Sequence, residues 1–119
     1  MRVCIPTNGR GGLDDHVSEH FGRAPTFTMV DTESEDVNVI DNTSEHMGGT
    51  GKPPEHIART GAKVLLCSGL GPRAVAMFES YGISVYVGAY GTVRETIQMW
   101  REGKLEQATM DNACKEHRH

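Results

Sequence analysis

The first residues alternate along the chain. Val3, Ile5 and Thr7 fall on one side, Cys4 and Pro6 on the other, and Asn8-Gly9 is a turn signal, so residues 1–7 read as a strand. Residues 26–32, a polar turn at Ser34-Glu35-Asp36 and residues 37–41 read as a hairpin. Residues 64–67 and 84–87 are short apolar runs, as expected of strands buried on both faces. Three helices are expected. The first opens at Pro53-Pro54, runs through Ala58 and stops at Gly61. The second starts at Pro72, carries Ala74, Val75, Met77, Phe78 and Tyr81 at helical spacing, and stops at Gly82. The third begins with Thr92-x-x-Glu95, a capping box, and presents Val93, Ile97 and Trp100 before Gly103.

A hairpin followed by βαβα units predicts an α/β domain with a mixed five-stranded sheet, three helices and right-handed parallel crossovers. This order resembles a ribonuclease-H-like three-layer fold. Residues 1–105 form that domain, and residues 106–119 read as a frayed polar tail. Residues 8–25 carry four glycines and little periodicity, a length of loop more often functional than filler.

Composition narrows the class. The chain has 119 residues, one domain by length. Three cysteines cannot complete a disulfide framework, and reduced thiols in a cytoplasmic protein are the expected state. No apolar run spans a membrane, and the N-terminus lacks the apolar length of a signal peptide. A net charge of −4 argues against a general nucleic-acid binder. Fourteen glycines exceed the usual share of about 7%. Some end helices. Others cluster at 9–12, 69–71 and 88–91, near the carboxyl ends of the parallel strands, where ligands sit in such sheets. The loop at 48–51 precedes a helix and can join them.

Several motifs fail on inspection. Gly51-Lys52 invites a P-loop reading, but His46 stands where glycine is needed and Pro53 where Ser or Thr is needed. Gly69-x-Gly71-x-x-Ala74 matches a dinucleotide fingerprint, yet Pro72 removes an amide and residues 87–90 offer no acid for a ribose. A tight strand-to-helix turn, with amides able to hold an anion, is the plainer reading. A two-metal nuclease needs clustered acids, and the first strand has none. The six acids between Ala24 and Gly51, with no Lys or Arg among them, read as a solvated face.

What remains is a set of soft and borderline metal ligands among glycines. His20 offers an imidazole, Arg23 a fixed cationic fork and Gly22 close backbone approach. The plain alternative there is a turn with a buried Phe21 and an exposed histidine. His46, Met47, Gly48 and Gly49 supply a second imidazole, a thioether and flexible amides. Cys67 ends a central strand near the same edge. In the tail, Cys114, His117 and His119 form a C-x-x-H-x-H run. His, Met and Cys suit iron, copper and metal–sulfur units, while none of these residues has structural-zinc spacing.

Val17-Ser-Glu-His-Phe-Gly-Arg-Ala-Pro25, with Phe27, the hairpin, the His46 loop and Cys67-Ser-Gly-Leu-Gly-Pro-Arg-Ala74 resemble the nitrogenase iron–molybdenum cofactor biosynthesis family, over roughly residues 1–105. The resemblance implies a ribonuclease-H-like fold and a protein that catalyses nothing itself. It implies binding, storage or delivery of a labile metal–sulfur cluster: iron–sulfur, with or without molybdenum or copper. It implies a cleft faced by His20, Gly22 and Arg23, by the loop at 46–51, and by Gly69, Gly71 and Arg73. Cluster-assembly or acceptor proteins would be the partners, with neither nucleic acid nor membrane. The alternative is a small-anion or nucleotide-binding regulatory module using Arg23 and the helix start at 69–73.

Overall fold

A computed structural model describes residues 1–42 and 53–109. The alternation of the first residues does form an edge-to-centre strand: β1 (Arg2–Thr7) sits inside the sheet, antiparallel to β2 (Thr26–Asp31) and parallel to β4 (Val64–Leu66). β3 (Val37–Asp41) completes the hairpin outside β2, and β5 (Ser84–Val87) lies parallel to β4. The order is β3-β2-β1-β4-β5-β6. Helices α1 (Pro53–Arg59), α2 (Pro72–Ser80) and α3 (Val93–Arg101) occupy the stretches expected of them. The capping box of α3 is present, with the Thr92 hydroxyl accepting from the Glu95 amide at 3.1 Å.

Among the described residues the sheet has six strands, not the five expected. β6 (Glu106–Ala108) pairs antiparallel with β5, in residues that read as tail. Glu106 and Gln107 are exposed and only Ala108 turns inward, so three residues carry no readable alternation. A short polar strand at a sheet edge also resists pairing with other chains.

Strand period two divides the core. Cys4, Phe27, Met29, Leu65 and Val85 face one side, where Ile57 of α1 and Val75 and Phe78 of α2 cover them. Val3, Ile5, Val64 and Leu66 face the other, covered by Val93 and Ile97 of α3. Phe78, fully buried, alone contributes roughly 2–3 kcal/mol of apolar burial.

β1, β4 and β5 end at one edge, at Thr7, Leu66 and Val87. Thr26 lies opposite Thr7, so residues 8–25 leave and re-enter the sheet there. α2 and α3 start from the same edge. β6 begins opposite Val87 and runs away from it.

Residues 8–18 are built, not loose. Asp15 accepts from the amides of Gly9, Gly11 and His16 at 2.9, 2.8 and 2.8 Å. The Gly12 amide donates to Thr28 Oγ1 at 3.0 Å, and Thr26 Oγ1 donates to the Gly9 carbonyl at 2.8 Å. Bridges Thr7–Val17 and His16–Thr92 then tie the segment to β1 and to the start of α3. Asp15 organises the turn. Its partial burial opposes ionisation, but the three amides outweigh that and hold the carboxyl below the usual carboxylate range.

Candidate functional site

Val17 is buried, and its amide donates to the Gly91 carbonyl at 2.9 Å. Ser18 follows, its amide donating to the Pro6 carbonyl at 2.8 Å. From there the chain must reach β2, and a single 3₁₀ turn over Phe21–Arg23 makes the connection. Phe21 drops into the core, its ring 5.2 Å from that of Phe27 and 5.5 Å, edge-on, from that of Phe78. Aromatic contacts of this kind add about 1 kcal/mol each beyond burial. The buried ring thereby anchors the turn and leaves His20, Gly22 and Arg23 exposed at the sheet edge. The expected buried Phe21 and the expected ligand-facing residues are therefore two sides of one turn.

Two adjoining cavities meet at this ridge. The outer one, about 810 Å³, has His20, Gly22 and Arg23 on one side and Gly69, Gly71 and Ala74 on the other. The inner one, about 470 Å³, shares His20 and Arg23 and adds Asn8, His16, Ser68 and Tyr90.

The two helix starts at this edge differ. At α3 the Val93 and Arg94 amides donate to the carbonyls of Asp15 and Leu13, at 2.9 and 3.0 Å, and Thr92 takes Glu95. At α2 the N-cap is Gly71, without a side-chain cap, and Pro72 follows. The amides of Gly69, Leu70, Gly71, Arg73 and Ala74 donate to no other described residue. Such amides, beside a guanidinium, suit an anion. A Cβ built at Gly22 or Gly69 meets no described residue within 4 Å, and neither has a positive φ. Both positions stay open toward the outer cavity.

Of the residues expected at the site, His20, Gly22, Arg23, Gly69 and Gly71 come together. Arg73 is exposed on α2 and lines neither cavity. Cys67 is turned inward: it shares the Leu65 side of the strand, is 1% exposed, and its Sγ lies 3.7 Å from the Tyr86 carbonyl oxygen. Burial pushes its thiol up to about 12, and its side chain packs in the core rather than lining either cavity. Cys4 lies in the same core, its thiol pushed up by burial and by Cys67. His46, Met47, Gly48, Gly49, Cys114, His117 and His119 lie outside the described residues. Among the described residues no three His, Cys, Asp or Glu side chains gather where they could hold a metal ion.

His16, Asn8, Ser68 and Tyr90 line the cleft without having been singled out. His16 had a signal: it precedes a buried apolar residue on an alternating stretch and stands four residues before His20. Tyr90 lies between two glycines of a loop already marked as facing the edge. It is 71% exposed.

The matches to known proteins span nearly the whole chain. An uncharacterised protein of Methanocaldococcus jannaschii is 30% identical over 112 residues, covering 90% of this chain and 91% of its own. The apo form of the orange protein from Desulfovibrio gigas has a TM-score of 0.80 at 31% identity, covering 90% of this chain and 92% of its own. The solution structure of a Thermotoga protein assigned to the NifB type has a TM-score of 0.71 at 33% identity, covering 89% and 91%. Residues 1–103, which include β1 to α3 and both walls of the cleft, match the family described as dinitrogenase iron-molybdenum cofactor. The chain belongs to the dinitrogenase iron–molybdenum cofactor family.

Proposed function

We propose that this protein binds a metal–sulfur cluster in the outer cavity and hands it to an acceptor protein, without catalysing a reaction. The observation that carries this reading is the meeting of His20 and Arg23 with Gly69, Leu70, Gly71 and Ala74 across one cavity, the amides of these four donating to no described residue. Metal–sulfide clusters are bulky and usually anionic. Their sulfides accept hydrogen bonds from amides, a guanidinium balances their charge, and an imidazole can ligate one metal. Few direct ligands suit a cargo that must be released. The family points to iron and molybdenum as the metals, iron–sulfur with molybdenum or copper being the cargo class. A relative of similar fold, the orange protein, has an apo form, as expected where the bound group can leave. Among the described residues no helix is long and apolar enough to cross a membrane.

The test is anaerobic reconstitution with iron, sulfide and molybdate or copper, read by metal content and visible absorption. Wild type gains colour and metal. His20→Ala and Arg23→Gln lose retention by roughly 10- to 100-fold. A wild type that stays colourless and metal-free overturns the reading.

The same amides beside Arg23, without partners among the described residues, favour a second reading, a small-anion or nucleotide-binding module. Calorimetric titration of metal-free protein with phosphate and with nucleotides separates the two. Micromolar binding supports the module.

A further inference from the structure

The inner cavity holds an imidazole that the proposed function leaves unused. His16 lines it together with His20 and Arg23. Its backbone is held at three points. The His16 amide donates to Asp15 Oδ1 at 2.8 Å, its carbonyl accepts from the Asn8 amide at 3.0 Å, and it bridges Thr92. Neighbouring Val17 is buried, so alternation sends the His16 side chain outward, toward the cavity. His20 is held separately: its carbonyl accepts from the Arg23 amide at 3.0 Å, and Ser18 Oγ meets its backbone at 3.2 and 3.4 Å. Two imidazoles thus border one space from two separate supports.

A single ion is a poor fit to this pair. A zinc ion takes three or four protein ligands around one point, and among the described residues no such group forms. A polynuclear object differs, because separate metal atoms can each accept one nitrogen at separate points. The two cavities share His20 and Arg23 in their walls, so cargo in the outer one lies beside the space that His16 lines.

We propose that His16 is a second nitrogen ligand to the cargo, which is held between His16 and His20. This rests on the cluster-carrier reading and narrows it: the cargo has at least two metal atoms open to imidazole at separated corners, as iron- and copper-containing sulfides permit.

The experiment loads wild type, His16→Ala and His20→Ala anaerobically with iron, sulfide and molybdate. Pulsed electron paramagnetic resonance on the reduced proteins, grown with isotope-labelled histidine, then counts imidazole couplings. Loss of cluster to an added chelator gives a rate. Each single variant is expected to show one imidazole coupling fewer than wild type and to lose its cluster roughly 10- to 100-fold faster. Thermal unfolding of His16→Ala is expected to match wild type, since the side chain is exposed. An unchanged coupling count in His16→Ala overturns the ligand role, even where the cluster leaves faster. In that case the carrier reading stands as long as wild type retains cluster. A wild type that takes up no cluster overturns the carrier reading and this inference with it.

Discussion

Gly11 and Gly69 both lie beyond the carboxyl ends of parallel strands, in loops rich in glycine. At Gly11 φ is +82°, and a Cβ would sit 2.6 Å from Val39 Cγ1 and 2.9 Å from Thr28 Oγ1. Its amide is taken by Asp15. Here the fold itself demands glycine, because the turn lies flat on the β2–β3 hairpin and curls through the left-handed region. At Gly69 the backbone is ordinary, a Cβ would meet no described residue within 4 Å, and the amide bonds to no described residue. Gly22 matches it in space and φ. Nothing among the described residues requires glycine at either position. The first loop is a buttress whose glycines serve packing. The second stretch is a rim whose glycines face space open among the described residues, as the proposed cargo site needs.

That contrast breaks first at Gly11. Gly11→Ala combines a strained φ with overlap against Val39 and Thr28, and should cost about 2–4 kcal/mol. Urea unfolding measures it, and an unchanged midpoint would show that the hairpin yields and the turn is no buttress.

Asp15→Ala is the next largest. It removes the acceptor for three amides, and because the carboxylate is partly open to water the loss should be about 1–2 kcal/mol. The pH dependence has a definite sign. The folded carboxyl titrates below its unfolded value of about 3.9, so its stabilisation is complete above about pH 4. It is lost as pH falls through the folded value. Asp15→Ala should therefore flatten part of the acid limb of a stability–pH curve. A limb as steep as wild type assigns that acid sensitivity to other carboxylates.

These two loops also mark how far the sequence could be read. Periodicity sufficed for β1, α2 and α3, since each puts apolar residues at a spacing only one backbone form can bury, while the polar turn marked the hairpin and the Pro and Gly signals marked α1. The Thr92–Glu95 cap was legible because its bonds are local. The Asp15 turn was not. Its partners Gly9 and Gly11 are near in sequence, but the Thr28 and Val39 surface that presses on it comes from strands many residues away. β6 escaped because three edge residues with one inward side chain make no pattern. Cys67 shows a different failure. Its chemistry suggested a ligand, while its register with Leu65 already turned it toward the core; alternation was the stronger guide. At the cleft, His20 and Arg23 were legible as an unusual pair. His16 and Tyr90 were not, because exposure toward a shared cavity depends on how β1, β5 and α3 close around it.

The smallest effect on stability is the most informative about the rim. Gly22→Ala and Gly69→Ala add a methyl group into open space at an ordinary φ, and alanine has fewer unfolded conformations to lose than glycine. Each variant should unfold at the wild-type urea midpoint or slightly above it, a change within about 1 kcal/mol. Cargo retention should move the other way, because each methyl stands where sulfide would otherwise meet the backbone. Cluster retained after anaerobic loading should fall several-fold for each, and further for the pair. Stability and retention falling together would make these glycines part of the fold, like Gly11. Retention unchanged in both single variants would mean that the open space at the outer cavity is not where the cargo rests.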